Sequence, residues 1–281
     1  MTGKNLRLAV LFSLSALAAA FKIVGGIVYG SKSLLVDALT SVANLVALAA
    51  TITYFMRSLR PPDEDHHYGH RRLTYGGTIL TLMSYSFVAG IAVTELMSPK
   101  PYSVSVNAPV LAVLGFVTYS AVIALSRRWG KAFLPYSVFT VSELMESGVV
   151  IASSAVGALY SYIIDYVGAW ILAAYIFYEL ALITRDVIKI VSDTAPPQST
   201  TQGIARTLRE LGLEPVRMRL RMVDDATLHG DVVVRVPLGT MVGEVNDLIA
   251  KAERVIKERF SADVTIALEA TSRDRQKGKE A

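Results

Sequence analysis

Apolar residues gather into six long runs in this chain, separated by short polar stretches, and the pattern changes near residue 193. The runs cover roughly residues 7–29, 33–56, 75–97, 108–126, 137–160 and 164–190. Each is near the ~20 residues that cross ~30 Å of hydrocarbon as a helix. Hydrocarbon offers no partners to backbone N–H and C=O groups, so each run is predicted to be helical. The first run contains Ala18, Ala19 and Ala20, which resemble a signal-peptide end. It continues through Lys22 to Ile27 and five more runs follow, so it reads as a retained helix.

After the sixth run, the stretch from Asp193 to Thr200 carries Pro196 and Pro197 among polar residues and reads as a linker. Shorter periods follow. A helix is predicted near 201–212, ending at Gly212. In 216–223, Val216, Met218, Leu220 and Met222 alternate with Arg217, Arg219 and Arg221, the pattern of a half-buried strand with one basic face. A second strand at 231–236, a helix near 241–259 and a strand at 263–268 complete an α-β-β-α-β order. That order suits a small α+β layer. A domain of ~70 residues is marginal alone, which favours pairing with a second copy. The expected division is an all-α six-helix transmembrane domain over 1–195, a small α+β domain over 196–270 and a charged, disordered tail over 271–281.

Composition narrows the function. Of 281 residues, 52% are hydrophobic and 19% charged, against about 25% charged in soluble domains. Mean hydropathy is +0.43. An ordinary soluble enzyme is excluded. The absence of cysteine excludes a disulfide scaffold, a Cys-ligated zinc module and a thiol nucleophile. The net charge of +4 matters less than its distribution. Lys4, Arg7, Arg57, Arg60, Arg71, Arg72, Arg127, Arg128 and Lys131 flank alternate ends of the runs, against only Lys32 and Lys100 on the other side. Nine against two places the N-terminus in the cytoplasm and, with six spans, the C-terminal domain there too.

Ionisable groups inside a bilayer are costly and point to function. The candidates are Lys22, Asp37, Glu95, Glu143, Glu146, Asp165, Glu179 and Asp186. Glu95, Asp165 and Asp186 lie near run ends, where headgroups or water are expected to solvate them. Asp37, Thr40, Ser41 and Asn44 share one helix face at i, i+3, i+4 and i+7. They line a cation path, or else Thr40, Ser41 and Asn44 join helices while Asp37 pairs with Lys22. Glu143, Glu146 and Ser147 form a second stripe on the fifth run. Glu143 is twelve residues from Lys131 and Asn44 thirteen from Arg57, so both sit at similar depth. An amide and a carboxylate could then meet across a helix interface around one cation. A third cluster lies in the loop after the second run: Asp63, His66, His67 and His70, with Gly69 for a tight turn. Carboxylate and imidazole are ordinary ligands for Zn²⁺, Fe²⁺ or Mn²⁺; a solvated polar loop is the alternative.

Three motifs resemble the cation diffusion facilitators. They are Gly30-Ser-Lys-Ser-Leu-Leu-Val-Asp-Ala-Leu-Thr-Ser41, then Asp63-x-x-His66-x-x-Gly69-His70-Arg71, then Ser192-Asp-Thr-Ala-Pro-Pro197. The resemblance implies a six-helix, homodimeric exporter of a divalent metal, with a metallochaperone-like cytoplasmic domain and protons as counter-ion. In that family, four ligands form the central site, two each on the second and fifth helices. Counting back from His70 puts the first pair at Thr40 and Asn44. Counting back from Asp165 puts the second at Phe139 and Glu143. Phe139 cannot bind metal in this manner, so the site departs from the family pattern. Asp37, Glu146 and Ser147 are available to supplement it. Oxygen ligands suit Mn²⁺, Fe²⁺ or Mg²⁺, yet Zn²⁺ binds most sites more tightly than Mn²⁺ or Fe²⁺. The loop residues Asp63, His66 and His70 match the family's second metal site. His229, read as lying in a turn, is the only histidine of the C-terminal domain, so little or no structural metal is expected there.

The expected protein is therefore a multi-pass transporter of the cell membrane and not an enzyme, binding no nucleic acid. Without a Walker-type glycine loop, ATP drive is not expected. The degenerate central site leaves open a transport-inactive family member acting as a regulatory or heterodimer subunit.

Overall fold

A computed structural model of the chain describes residues 3–97, 100–129, 134–223, 227–237 and 240–270. The side chains of 3–5, 134–140, 142, 190 and 270 are outside that description, which leaves out Phe139, Lys131 and the 271–281 tail.

The apolar runs form helices whose ends fall within a few residues of the hydropathy boundaries. They are α1 (Gly3–Ile27), α2 (Lys32–Ser58), α3 (Thr74–Leu96), α4 (Asn107–Trp129), α5 (Leu134–Leu159) and α6 (Tyr162–Val191). Among the described residues, α1, α2, α3, α4 and α6 are long and apolar enough to cross a membrane. The 26-residue α5 carries Glu143 and Glu146 in its interior.

Contacts divide the chain into two units: 1–61 with 73–185, and 62–72 with 186–281. This differs from a single cut near residue 195. The loop holding Asp63, His66 and His70 belongs with the C-terminal unit, because Arg71 donates to Thr227 and Arg72 pairs with Asp193.

In the helical unit, α2 packs against α1, α3 and α5, and α4 joins α1 to α5. Its apolar core draws Leu34 and Val36 from α2, Tyr85 and Val88 from α3, and Ala169, Leu172 and Ile176 from α6. The turn entering α2 depends on Gly30, which has φ +73° and whose α-carbon faces the Ser103 carbonyl. Ser31 then caps α2, its hydroxyl accepting from the Leu34 N–H at 3.2 Å.

The C-terminal unit contains α7 (Gln198–Glu210), β1 (Glu214–Met222), β2 (Leu228–Val236), α8 (Val242–Phe260) and β3 (Ala262–Ala270). The sheet order is β1-β2-β3, with β1 antiparallel and β3 parallel to β2. The helix α8 makes the crossover that a parallel pair requires. Ile204 and Leu208 of α7, Ala252 and Ile256 of α8, and Val232, Val234, Val264 and Ile266 of the sheet form the core. Two expectations change here. Val216 is exposed rather than core-facing, because a bulge between Pro215 and Arg217 leaves it outside the β1–β2 pairing. His229 lies inside β2, in register with Arg221 and Asp263, rather than in a turn.

Candidate functional site

The interior of the helical unit gathers charge. Asp37, one turn before Ser41 on α2, is fully buried, as are Lys22 on α1 and nearly all of Glu143 and Glu146 on α5. The Lys22 ammonium sits among three oxygens. It donates to Asp37 Oδ1 at 2.8 Å, Glu143 Oε2 at 2.5 Å and Ser41 Oγ at 3.0 Å. The Ser41 hydroxyl is also 2.7 Å from Glu143 Oε2. Thr40 donates to Glu146 Oε2 at 2.7 Å. The α2 stripe thus faces α5, as its spacing allows.

Asn44 and Glu143 do meet, with Asn44 Nδ2 donating to Glu143 Oε1 at 2.7 Å. The amide carbonyl points elsewhere, accepting from the Tyr85 hydroxyl at 2.6 Å. In this arrangement Asn44 holds Glu143 as a donor. To present oxygen to an ion it must turn over and leave Tyr85.

Three carboxylates face one ammonium. Ionised, the group carries a balance of −2. Asp37 Oδ2, Glu146 Oε1 and Ser147 Oγ are buried without a hydrogen-bond partner among the described residues. Such atoms are normally paired. A divalent cation would satisfy both the charge and the unpartnered oxygens. A cavity of about 20 Å³ adjoins the group, lined by Ser15, Ser41, Asn44, Tyr119 and Glu143 among others. It is about the size of one water.

A Lys22–Asp37 pair is the alternative to a cation path in the sequence, and the structure shows that pair. Nothing in the sequence indicated that the same ammonium would bridge to Glu143, 121 residues away. Tyr85 and Tyr119 were also missed, since a tyrosine in an apolar helix has no distinguishing signal. Tyr119 sits with its ring centroid 4.7 Å from the ammonium. Glu179 on α6 is half-buried, and its Oε2 has no hydrogen-bond partner among the described residues.

Asp165 requires a correction. It is fully buried rather than solvated at a helix end. Its carboxylate accepts from the Ser31 and Ser33 hydroxyls at 2.7 and 2.5 Å, the Lys32 N–H at 2.7 Å and the Tyr102 hydroxyl at 3.0 Å. It therefore binds the N-terminus of α2, where unpaired N–H groups and the helix dipole favour an anion. Glu95 pairs with Lys32 across α2 and α3, and Asp186 is exposed beside Lys189.

In the second unit, Asp63, His66 and His70 offer ligand atoms within 4.8 Å of one another. Asp63 bridges the rings, with Oδ1 3.2 Å from His66 Nδ1 and Oδ2 3.2 Å from His70 Nε2. Gly69, at φ +79°, turns the chain so that His70 folds back to the group. Desolvation works to raise the Asp63 carboxyl, but hydrogen bonds from the His66 backbone and ring and the two imidazoles' charge outweigh it and hold the group below the usual carboxylate range. One carboxylate and two imidazoles match the donor chemistry of a transition-metal ion.

Residues 8–191 match the cation efflux transmembrane domain. The chain belongs to the cation efflux family. Among its relatives, the manganese efflux system protein MneS of Bacillus subtilis is 25% identical, over 87% of this chain and 88% of MneS. The cation-efflux pump FieF of Yersinia enterocolitica is 23% identical over 86% of this chain and 85% of FieF. This cation efflux protein is thus an integral membrane transporter for metal cations. Its long apolar helices fit that role.

Proposed function

We propose that this protein exports a divalent metal ion, Mn²⁺ foremost, from the cytoplasm across the cell membrane in exchange for protons. Six helices would span the bilayer, with both termini in the cytoplasm and two copies per transporter. The transport site would be Asp37, Thr40, Ser41, Glu143 and Glu146, with Asn44 joining once its amide turns. The observation that carries this is the buried group of three carboxylates, with oxygens on Asp37 and Glu146 that have no partner among the described residues, facing the Lys22 ammonium. All its ligands are oxygen, which suits Mn²⁺ better than a histidine-rich site would. The manganese efflux of MneS supports the same choice. Asp63, His66 and His70 would hold a second ion, bound by two imidazoles and a carboxylate.

The test is uptake by proteoliposomes of the purified protein under a pH gradient, with Mn²⁺, Zn²⁺ and Fe²⁺ in competition. Mn²⁺ accumulation that collapses with the gradient is expected. Accumulation indifferent to the gradient would remove proton exchange, and none would remove transport. Dimerisation is expected to survive EDTA, since apolar burial would hold the copies together. Conversion to monomer by EDTA would require a structural metal instead. One observation favours a second reading, a transport-inactive subunit: the Lys22 ammonium already occupies the place between Asp37 and Glu143.

A further inference from the structure

The transport-site reading leaves a positive charge where a cation should go. Lys22 Nζ lies within 3.0 Å of Asp37, Ser41 and Glu143, three oxygen donors from two helices other than its own. That is the coordination of a bound ion, with the ion attached to a side chain. The stem has a built path. It passes Gly115 on α4, where an added Cβ would meet Lys22 Cγ at 3.5 Å and Cε at 3.6 Å. The Tyr119 ring, 4.7 Å from the ammonium, supplies a second cation-binding surface beside the first. The small cavity next to the group is lined by Tyr119, Ser41 and Glu143 together.

We infer that Lys22 is a tethered competitor cation that sets the charge selectivity of the site. Resting on the transport reading above, this deepens it. An entering ion must displace the ammonium from Asp37 and Glu143. A monovalent ion brings no more charge than the ammonium it replaces. A divalent ion at the same distances has twice the Coulomb attraction to the carboxylates. Na⁺ and K⁺, abundant in any cytoplasm, are thereby rejected by a repulsive element already in the site, as specificity often requires. The displaced ammonium remains charged and moves toward the Tyr119 ring and the cavity beside it. The group that argued for inactivity becomes the gate.

The experiment measures Mn²⁺ binding by calorimetry on the full-length protein in detergent. A His66→Ala/His70→Ala background removes the loop ligands from the signal. Lys22→Met keeps an unbranched stem and removes the competitor. Its Mn²⁺ Kd is expected to fall by ~tenfold or more, as loss of a buried competing charge implies, and Na⁺ at 150 mM is expected to compete where it does not in the parent. Lys22→Arg keeps the charge and adds a planar fork that grips two carboxylates. Its Kd is expected to rise. A merely structural lysine would weaken binding in both variants. If Lys22→Met does not fold, Lys22→Arg is read together with its melting temperature: weaker Mn²⁺ binding at an unchanged melting temperature is expected, and unchanged or tighter binding, or weaker binding that comes only with a lowered melting temperature, overturns the inference. Unchanged Kd and unchanged Na⁺ indifference in Lys22→Met overturn it equally. Glu143→Gln separates the two claims. Lost Mn²⁺ binding there with unaltered Lys22 variants keeps the transport site and discards the gate. Unaltered binding in Glu143→Gln discards both.

Discussion

Asp165 and Glu143 are buried carboxylates on long helices of one unit, and their surroundings are opposite. Asp165 is surrounded by neutral donors: two serine hydroxyls, a backbone N–H and a tyrosine, on both of its oxygens. Glu143 shares its space with Asp37 and Glu146, one ammonium and unpartnered oxygens nearby. Both carboxylates have partners on each oxygen, Glu143 from Lys22, Ser41 and Asn44, but those of Asp165 are neutral and no second carboxylate among the described residues competes for them. Glu143 is held in an arrangement that another cation would complete. Uncompensated negative charge among its neighbours, rather than burial, separates a candidate ligand from a structural carboxylate. Each substitution below tests whether that separation is real.

The largest effect is expected at Asp165. Asp165→Ala would leave several buried donors without an acceptor, each costing about 1–3 kcal/mol. A total loss of about 3–5 kcal/mol, the cost of breaking a buried charged network, is expected in thermal unfolding in detergent. The protein that remains folded should bind Mn²⁺ normally. Weakened Mn²⁺ binding with normal stability would reverse the comparison.

Glu143→Gln comes next and should act on binding instead. Changes beside metal ligands already cost about 10–100-fold in affinity, so a loss of at least about 100-fold in Mn²⁺ affinity is expected. Stability should hold or rise, because like charges are relieved. A melting temperature as depressed as that of Asp165→Ala would show that Glu143 is structural too.

Much of this contrast lies outside what sequence reading can reach, and the reason is distance along the chain. Helix extents were legible because bilayer thickness fixes their length. The meeting of Asn44 and Glu143 was legible because both could be counted from basic anchors at one membrane face. The Gly30–Ser41 motif was visible as a resemblance, but its physical purpose was not. Ser31 and Ser33 cap α2 onto Asp165, more than 130 residues later. Nor could periodicity show which carboxylate would end among donors and which among other carboxylates. Lys22 was visible as a buried charge, and its second partner was not. In β1, strict alternation placed Val216 in the core, because a one-residue bulge leaves no mark on a hydropathy pattern.

A smaller effect is expected at the entrance to the Asp165 network. Gly30→Ala places a side chain at φ +73° and a Cβ 2.6 Å from the Ser103 carbonyl oxygen. Strain of that kind costs about 1–3 kcal/mol. The melting temperature should fall, by less than for Asp165→Ala, and Mn²⁺ affinity should not change. A shift in affinity would mean that the α2 N-terminus sets the register of Asp37 and Ser41, coupling the two carboxylate groups that the comparison keeps apart.

The smallest effect is expected at Tyr85, where the two behaviours meet in one side chain. Its hydroxyl fixes the Asn44 amide with the N–H toward Glu143. Tyr85→Phe leaves Asn44 Oδ1 buried without a donor, a cost of about 1 kcal/mol to the resting state. The same loss frees the amide to turn and offer its oxygen to an ion held by Glu143. Stability should therefore fall slightly while Mn²⁺ affinity rises a few-fold, about the equivalent of one hydrogen bond. A structural tyrosine would lower both together. Weaker Mn²⁺ binding in Tyr85→Phe would mean that Asn44 serves as the donor that aims Glu143, and that the ion meets carboxylates and hydroxyls without an amide.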